Sequence, residues 1–229
     1  MAKAFDLVVF DWDGTLMDSE AHIVVSMQRA LADLSMPDCS RESIRDIIGL
    51  GLREAMEKLL PAQTDAEYQA LTDRYRYHFL ADDPCEPFAG AEAVLQGLHE
   101  AGYLLAVATG KGRRGLDRVL ESTGFGQYFV ETRCADEARS KPHPQMLQEI
   151  MDSLATEPQQ TLMIGDTEYD LQMANAAQTA ALGVDYGVHT RERLLACNPL
   201  ACLSSIQDLP AWLKDYNATR AAPAVSVGS

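Results

Sequence analysis

The stretch Leu7-Val8-Val9-Phe10-Asp11-Trp12-Asp13-Gly14-Thr15 decides how the rest of the chain is read. Four apolar residues in a row, without polar alternation, describe a strand covered on both faces, as in a parallel sheet. The run stops at two aspartates, a glycine and a threonine, which places carboxylates at the end of that strand. Two later runs repeat the pattern: 104–108 ends in Thr109-Gly110-Lys111, and 162–164 ends in Gly165-Asp166-Thr167, followed by an amphipathic segment over 168–177. Helical periodicity at 91–101, 114–122 and 144–154 fills the intervals, so strand and helix alternate from about residue 89 onward. The expected fold class is α/β, with a parallel sheet between two helical layers.

Residues 18–83 do not alternate. Helical periodicity (Ile23, Met27, Leu31; Ile44, Ile48; Leu52, Met56, Leu60; Tyr68, Leu71, Tyr75, Phe79) is interrupted at Pro37, Gly49 and Pro61. This predicts a helical cap at 18–83 inserted into a core of residues 1–17 and 84–229, with re-entry through Asp82-Asp83-Pro84-Cys85-Glu86-Pro87. The end of the chain, 218–229, is small, polar and patternless, and is expected to be disordered.

Composition narrows the function. The 229 residues are 47% hydrophobic and 23% charged, enough to bury a core. Nineteen Lys and Arg against 34 Asp and Glu leave a net charge of -15, which repels phosphodiester backbones and anionic lipid and points to small or metal-bound partners. Five cysteines form no Cys-x-x-Cys pair and do not read as a disulfide framework; with no signal segment and no membrane span, a cytoplasmic protein is expected, monomeric or homodimeric.

In an open parallel sheet, function gathers where the carboxyl ends of several strands converge. Here those ends supply Asp11 and Asp13, Thr109 and Lys111, and Asp166 with Asp170, while Ser140-Lys141-Pro142 precedes another helix. Carboxylates so close repel and raise one another's pKa unless a divalent cation and an ammonium hold them ionised; Mg²⁺, which favours oxygen ligands and phosphate, is the simplest such cation. An aspartate can attack a phosphoryl group to give an aspartyl-phosphate, and a second carboxyl can protonate the leaving oxygen and then activate water. Asp11 and Asp13, two apart in an extended segment, start on one side of the chain and suit both tasks.

At this point the sequence resembles a known family. Asp11-Trp12-Asp13-Gly14-Thr15-Leu16-Met17-Asp18-Ser19 is similar to the DxDGTLxDS signature of the haloacid dehalogenase-like phosphohydrolases. Thr109-Gly110-Lys111, Lys141-Pro142-His143-Pro144 and Gly165-Asp166-Thr167-Glu168-Tyr169-Asp170 fall in the order of that family's other motifs. The resemblance covers about residues 5–188 and is closest to the helical-cap branch that looks like phosphoglycolate phosphatase. It implies a Rossmann-like core, with Asp11 as nucleophile and Asp13 as general acid and base. It also implies that Thr109, Gly110 and Lys111 bind phosphate, that Lys141 balances charge, and that Asp11, Asp13, Asp166 and Asp170 surround Mg²⁺. The implied substrate is a small phosphorylated metabolite, a phosphoglycolate-like ester or a sugar phosphate, met by the cap through Gly49 and Leu50 in the loop Gly49-Leu50-Gly51-Leu52. Dehalogenase relatives lack the second aspartate, so Asp13 argues against carbon-halogen hydrolysis. Ala177 departs from the pattern where relatives often carry glycine.

Other readings compete. A phosphomutase would share every motif, and His22 in the first cap helix is a candidate counterpart of a mutase's basic residue. Gly110-Lys111-Gly112-Arg113-Arg114-Gly115 is formally a G-x-G-x-x-G with Glu131 about twenty residues on, the pattern of an NAD-binding oxidoreductase; against it, the fingerprint normally opens the first strand-helix unit. A silent binding protein is disfavoured because no signature carboxylate is missing. Asp18 and Ser19 serve equally well as caps of the first insert helix or as binding groups. Arg45, Arg53 and Lys58 are candidates for a substrate carboxylate, although solvated surface is the commoner role for such residues. Trp12 is expected to pack beside the site, His143 to lie at the surface, and His22, His78, His99 and His189 to be structural.

Overall fold

The computed structural model describes residues 3–81 and 85–221. In chain order the elements are β1 (Leu7–Phe10), α1 (Glu20–Asp33), α2 (Arg41–Arg45), α3 (Leu52–Leu59), α4 (Asp65–Ala81), α5 (Ala91–Glu100), β2 (Leu104–Thr109) and α6 (Arg113–Thr123). They continue as β3 (Glu131–Cys134), α7 (Gln145–Leu154), β4 (Thr161–Gly165), α8 (Glu168–Ala176), β5 (Ala180–Val184), α9 (Arg191–Leu195), β6 (Cys202–Leu203) and α10 (Leu209–Ala221). The strands form one parallel sheet in the order β3-β2-β1-β4-β5-β6.

The apolar run at the start of the chain explains the centre of that sheet. β1 lies between β2 and β4, with Phe10 level with Val107 and Ile164, and all four of its side chains are fully buried. Alternate residues go to opposite faces. Val8 and Phe10 join an apolar cluster with Leu95 of α5 and Leu213 of α10. Leu7 and Val9 join another with Leu147 of α7 and Leu171 of α8. This is the three-layer Rossmann-like arrangement expected. The strand order reverses between β1 and β4, so a crevice opens beyond their carboxyl ends, where Asp11 and Asp166 emerge.

Between β1 and α5 the described residues form only helices among their regular elements, and these enclose an apolar cluster of their own, including Met27, Leu31, Ile44, Met56 and Leu71. The outgoing and returning connections run side by side: Asp18 N–H donates to Glu86 O at 3.0 Å and Phe88 N–H to Leu16 O at 3.0 Å. The first part of the expected re-entry segment, 82–84, lies outside the described residues.

Several elements differ from the sequence reading. α10 continues to Ala221, so a disordered segment does not begin at residue 218; residues 222–229 lie outside the described ones. β3, β5 and β6 were not anticipated as strands: β3 is the polar edge segment Glu131-Thr132-Arg133-Cys134, and β5 is built largely of alanine and glycine. Ala177 ends α8 with φ -83°, a conformation that costs alanine nothing, and the left-handed turn falls on Gln178 instead, at φ 60°. Among the described residues no helix is long and apolar enough to cross a membrane.

Candidate active site

Asp11 continues the line of β1, its N–H donating to Ile164 O at 2.9 Å, and its side chain enters a fully enclosed space. There Lys141 Nζ lies 2.6 Å from Asp11 Oδ1 and 2.6 Å from Asp170 Oδ1, with none of the lysine side chain exposed. A solvated lysine held extended before Pro142 is thereby excluded. Asp11 Oδ2 is buried and accepts no hydrogen bond among the described residues. Burial pushes the Asp11 pKa well up; Lys141 opposes this, while Asp170 and Asp166 add to it. For Lys141, burial disfavours the charge, but Asp11 and Asp170 outweigh it and raise the pKa, so the ammonium is retained.

Asp166, at the end of β4, is held from two sides. Thr15 Oγ1 donates to Oδ1 and the Val188 N–H donates to Oδ2, each at 2.8 Å. Its pKa is pushed up to about 7, by burial first and the charge of Asp170 second. Gly14, at φ +83°, explains the glycine after the aspartate pair: a Cβ there would collide with the Asp166 carboxylate and the backbone is left-handed. Asp170 lies in the first turn of α8, where its Oδ2 accepts from Thr167 N–H at 3.1 Å and Thr167 Oγ1 at 2.7 Å, a capping box that fixes the carboxylate.

One carboxylate oxygen from each of Asp11, Asp166 and Asp170 lies within 4.8 Å of the others, and all three residues are buried. Three enclosed carboxylates with one ammonium and two raised pKa values fit a hard divalent cation. Asp13 does not belong to this carboxylate group. Its Oδ1 accepts from Ser19 Oγ at 2.7 Å, and both its oxygens accept from Lys111 Nζ at 2.9 Å. The Asp13 carboxylate instead serves a hydroxyl and an ammonium. Ser19 is settled by the same contact, since it makes no side-chain cap on α1 and turns to Asp13 instead.

The remaining expected residues converge on the crevice. Thr109 ends β2, fully buried, and its Oγ1 accepts from Lys111 N–H at 3.2 Å. Lys111 stands at Asp13 rather than at an open phosphate cradle. Gly110 faces the insert: a Cβ on it would lie 2.8 Å from Gly49 O and nearer still to Leu50 O. Gly49, at φ +100°, would bring a Cβ to 2.9 Å from Thr167 Oγ1, and Gly51 N–H donates to Ser140 Oγ at 2.7 Å. The loop Gly49-Leu50-Gly51-Leu52 is thus pressed against all three later motif loops, which requires glycine at these close approaches. Gly112 caps α6 and Glu131 is engaged by Arg133 and Ser153, so this surface is not arranged as a dinucleotide site.

Arg45 and Lys58 reach across to the core, whereas Arg53 stays on the insert with Glu57 and Asp65. Arg45 Nη2 donates to Val188 O at 2.7 Å; Lys58 Nζ donates to the Tyr169 hydroxyl at 2.5 Å and lies 3.0 Å from Asp46, which also meets Arg193 at 2.6 Å. Trp12 is fully buried against the edges of Phe125 and Phe129, as expected. His143 is half-buried rather than at the surface, its Nδ1 accepting from Gln145 N–H at 3.2 Å. His189 is buried, with Nδ1 accepting from Glu168 N–H at 3.1 Å, and burial, with Arg193 nearby, lowers its pKa to about 4. Sequence reasoning missed Thr15, Thr167 and the Val188 N–H; the first two carry a signal, lying inside the motifs, whereas a backbone donor has none.

The family model for haloacid dehalogenase-like hydrolases matches residues 8–184. A Dickeya dadantii protein named "Probable phosphatase IndB" is 38% identical over 212 residues, 89% of this chain and 91% of that protein. A phosphoglycolate phosphatase of Vibrio parahaemolyticus is 29% identical over 214 residues, 89% of this chain and 93% of its own length. A crystal structure from Haemophilus somnus, described as a "predicted phosphoglycolate phosphatase", shares the fold with a TM-score of 0.84 at 23% identity, covering 93% of this chain and 99% of that one.

Proposed function

The chain belongs to the haloacid dehalogenase-like hydrolases and is a phosphatase, and from that premise we propose that it hydrolyses a small phosphate monoester through an aspartyl-phosphate on Asp11, with Mg²⁺ as cofactor. The observation that carries the reading is the buried Asp11 Oδ2, which accepts no hydrogen bond, while Oδ1 is held 2.6 Å from Lys141 Nζ. One oxygen is fixed and the other is available to attack.

The residues then divide the work. Asp11 Oδ2 forms a bond to phosphorus as the bond from phosphorus to the alcohol oxygen breaks, and Asp13 delivers a proton to that oxygen. In the second step Asp13 takes a proton from water as the water oxygen attacks phosphorus, releasing orthophosphate and the Asp11 carboxylate. On substrate entry Lys111 exchanges its contacts with Asp13 for a phosphoryl oxygen, which leaves Asp13 able to hold a proton. Thr109 and the Gly110 N–H bind the transferring group, and Lys141 balances its charge. Asp11, Asp166 and Asp170 would hold Mg²⁺, which when bound supplies positive charge and orients the phosphate.

Residues 18–83 act as a cap over this chemistry, excluding bulk water during transfer, with residues 49–52 as the contact to the core. The apolar cluster within α1–α4 and the paired connections support that division. The mutase alternative is disfavoured by His22, whose imidazole is already engaged: its Nδ1 lies 3.2 Å from Cys85 Sγ and its ring lies tilted against Phe79 at 4.4 Å. The free cysteines, Cys134 and Cys202 among them buried, support a reducing cytoplasm as the location.

The test is phosphate release from p-nitrophenyl phosphate. Chelation by EDTA should abolish it, Mg²⁺ should restore it, and Ca²⁺, with looser coordination, should inhibit. Full activity in chelator would contradict the assignment of the three carboxylates.

A further inference from the structure

The general acid lies against the part of the substrate that leaves, so what surrounds Asp13 surrounds the departing alcohol. Beyond Ser19 and Lys111, an aromatic group follows on the far side of the Lys111 ammonium. Lys111 Nζ, 2.9 Å from both Asp13 oxygens, also lies 4.7 Å from the centre of the Phe79 ring. Ring centre to ring centre, Phe79 is 5.7 Å from Tyr75 and 4.4 Å from His22. Burial, and then the charge of Asp13, raises the pKa of the Tyr75 hydroxyl. Ile23, Ile48 and Val188 close the apolar side of this group. Tyr75, Phe79 and His22 are only half-buried, so each keeps accessible surface.

Charge supplies a second, independent observation. An alcohol bearing a carboxylate needs an uncommitted cation near Asp13. Every lysine and arginine from α1 to α4 is already engaged, Arg45 and Lys58 among them, through Glu20 and Asp46. Lys111 is the cation at Asp13, held by both oxygens of that residue, and on substrate entry the proposed reaction commits it to a phosphoryl oxygen. A further anion would enter beside Asp11, Asp13, Asp166 and Asp170 in a chain of net charge -15.

We propose that the leaving alcohol of the substrate is uncharged and carries an aromatic ring, which lies against Phe79 and Tyr75 while its oxygen takes the proton from Asp13. This rests on the phosphatase reading and narrows it to ring-bearing phosphate monoesters, away from phosphorylated hydroxy acids. Rings prefer offset or edge contacts with other rings, a preference an aliphatic group of the same size does not share.

The test compares kcat/KM for benzyl phosphate, cyclohexylmethyl phosphate and phosphoglycolate, all esters of unactivated primary alcohols. The full chain with Mg²⁺ should favour benzyl over cyclohexylmethyl by about threefold to tenfold, the scale of a ring pair, and over phosphoglycolate by at least about thirtyfold, the scale of an unpaired charge in a desolvated site. In Phe79→Leu, which keeps an apolar side chain but removes the ring, the benzyl to cyclohexylmethyl ratio should fall toward one. Equal rates for the two esters of uncharged alcohols in the unsubstituted protein, or a preference for phosphoglycolate, would overturn the inference; because these are ratios within one protein, a poorly folding variant does not blur them. Release of no phosphate from any ester, p-nitrophenyl phosphate included, would instead overturn the phosphatase reading and this inference with it.

Discussion

Two clusters in this molecule use the same ingredients and differ in water. In the core, Lys141 stands between Asp11 and Asp170, with side-chain exposures of 0%, 2% and 0%. Where the insert meets the core, Asp46 stands between Lys58 and Arg193, with exposures of 39%, 46% and 35%, and Arg193 continues to Glu168 at 2.6 Å. In the second cluster, burial opposes ionisation of Asp46, yet Lys58 and Arg193 outweigh it and lower its pKa, so every group is comfortably charged. In the first, burial dominates and the Asp11 pKa rises despite an ammonium at 2.6 Å. The lesson is that an ion pair is defined by its surroundings as much as by its partners. The enclosed cluster suits the cation and phosphoryl group proposed for it, whereas the open one joins the insert to the core through solvated pairs.

The largest effects should come from the enclosed site. Asp11→Asn and Asp13→Asn should each lower turnover of p-nitrophenyl phosphate by roughly a thousandfold or more, since both residues make or break bonds. Unfolding curves should show both variants folded, because asparagine keeps the shape of each side chain and an oxygen that still accepts from Lys141 or Lys111. Near-normal turnover in either, with the fold intact, would separate the cluster from catalysis.

A smaller effect belongs to His189, at the rim of the contact between the two clusters. Its pKa in the folded protein, about 4, lies below the ordinary imidazole value because it is buried beside Arg193, with Glu168 and Asp46 opposing. The unfolded chain therefore takes up a proton first as pH falls. The stability His189 contributes is complete above about pH 6.5 and is lost as pH drops from there toward 4, a total on the order of 1–3 kcal/mol. Chemical denaturation between pH 7 and 4.5 should show that slope, and His189→Gln should flatten it. An unchanged slope in the variant would assign the pH dependence to other groups.

The open cluster should give the smallest change. Asp46→Asn should alter global stability by no more than about 1 kcal/mol. Because it loosens the insert from α8 and α9, it should raise KM more than it lowers kcat, and added salt should reproduce the effect in the unsubstituted protein. If Asp46→Asn instead unfolded the chain, the contact would be a fixed part of the core.

Much of the enclosed site was legible in the sequence because motif residues sit at strand ends, where local pattern and function coincide. Asp11, Asp13, Thr109, Asp166 and Asp170 could be named from their places at or just beyond strand ends, whereas Lys141, and the role of each residue, came from the ordered family motifs. What pattern could not supply was direction. The Asp13 side chain turns to Lys111 and Ser19 instead of joining Asp166, a choice fixed by packing between distant segments. The open cluster was less legible still, since Arg45 and Lys58 read as solvated surface until Val188 and Asp46 were placed beside them. In the sheet, β1 announced itself by its apolar run. β3 did not, because an edge strand alternates polar residues, here Arg133 paired with Glu131 and Glu149.

The central claim is that a covalent bond forms on Asp11, and the most direct measurement is reductive trapping. Borohydride added to the protein during turnover of p-nitrophenyl phosphate reduces an acyl phosphate to an alcohol, so the attacked aspartate is recovered as homoserine in a peptide map. The account predicts homoserine at position 11, dependent on substrate and absent in Asp11→Asn. Homoserine at position 13 or at any other carboxylate, with Asp11 recovered unchanged, would contradict it.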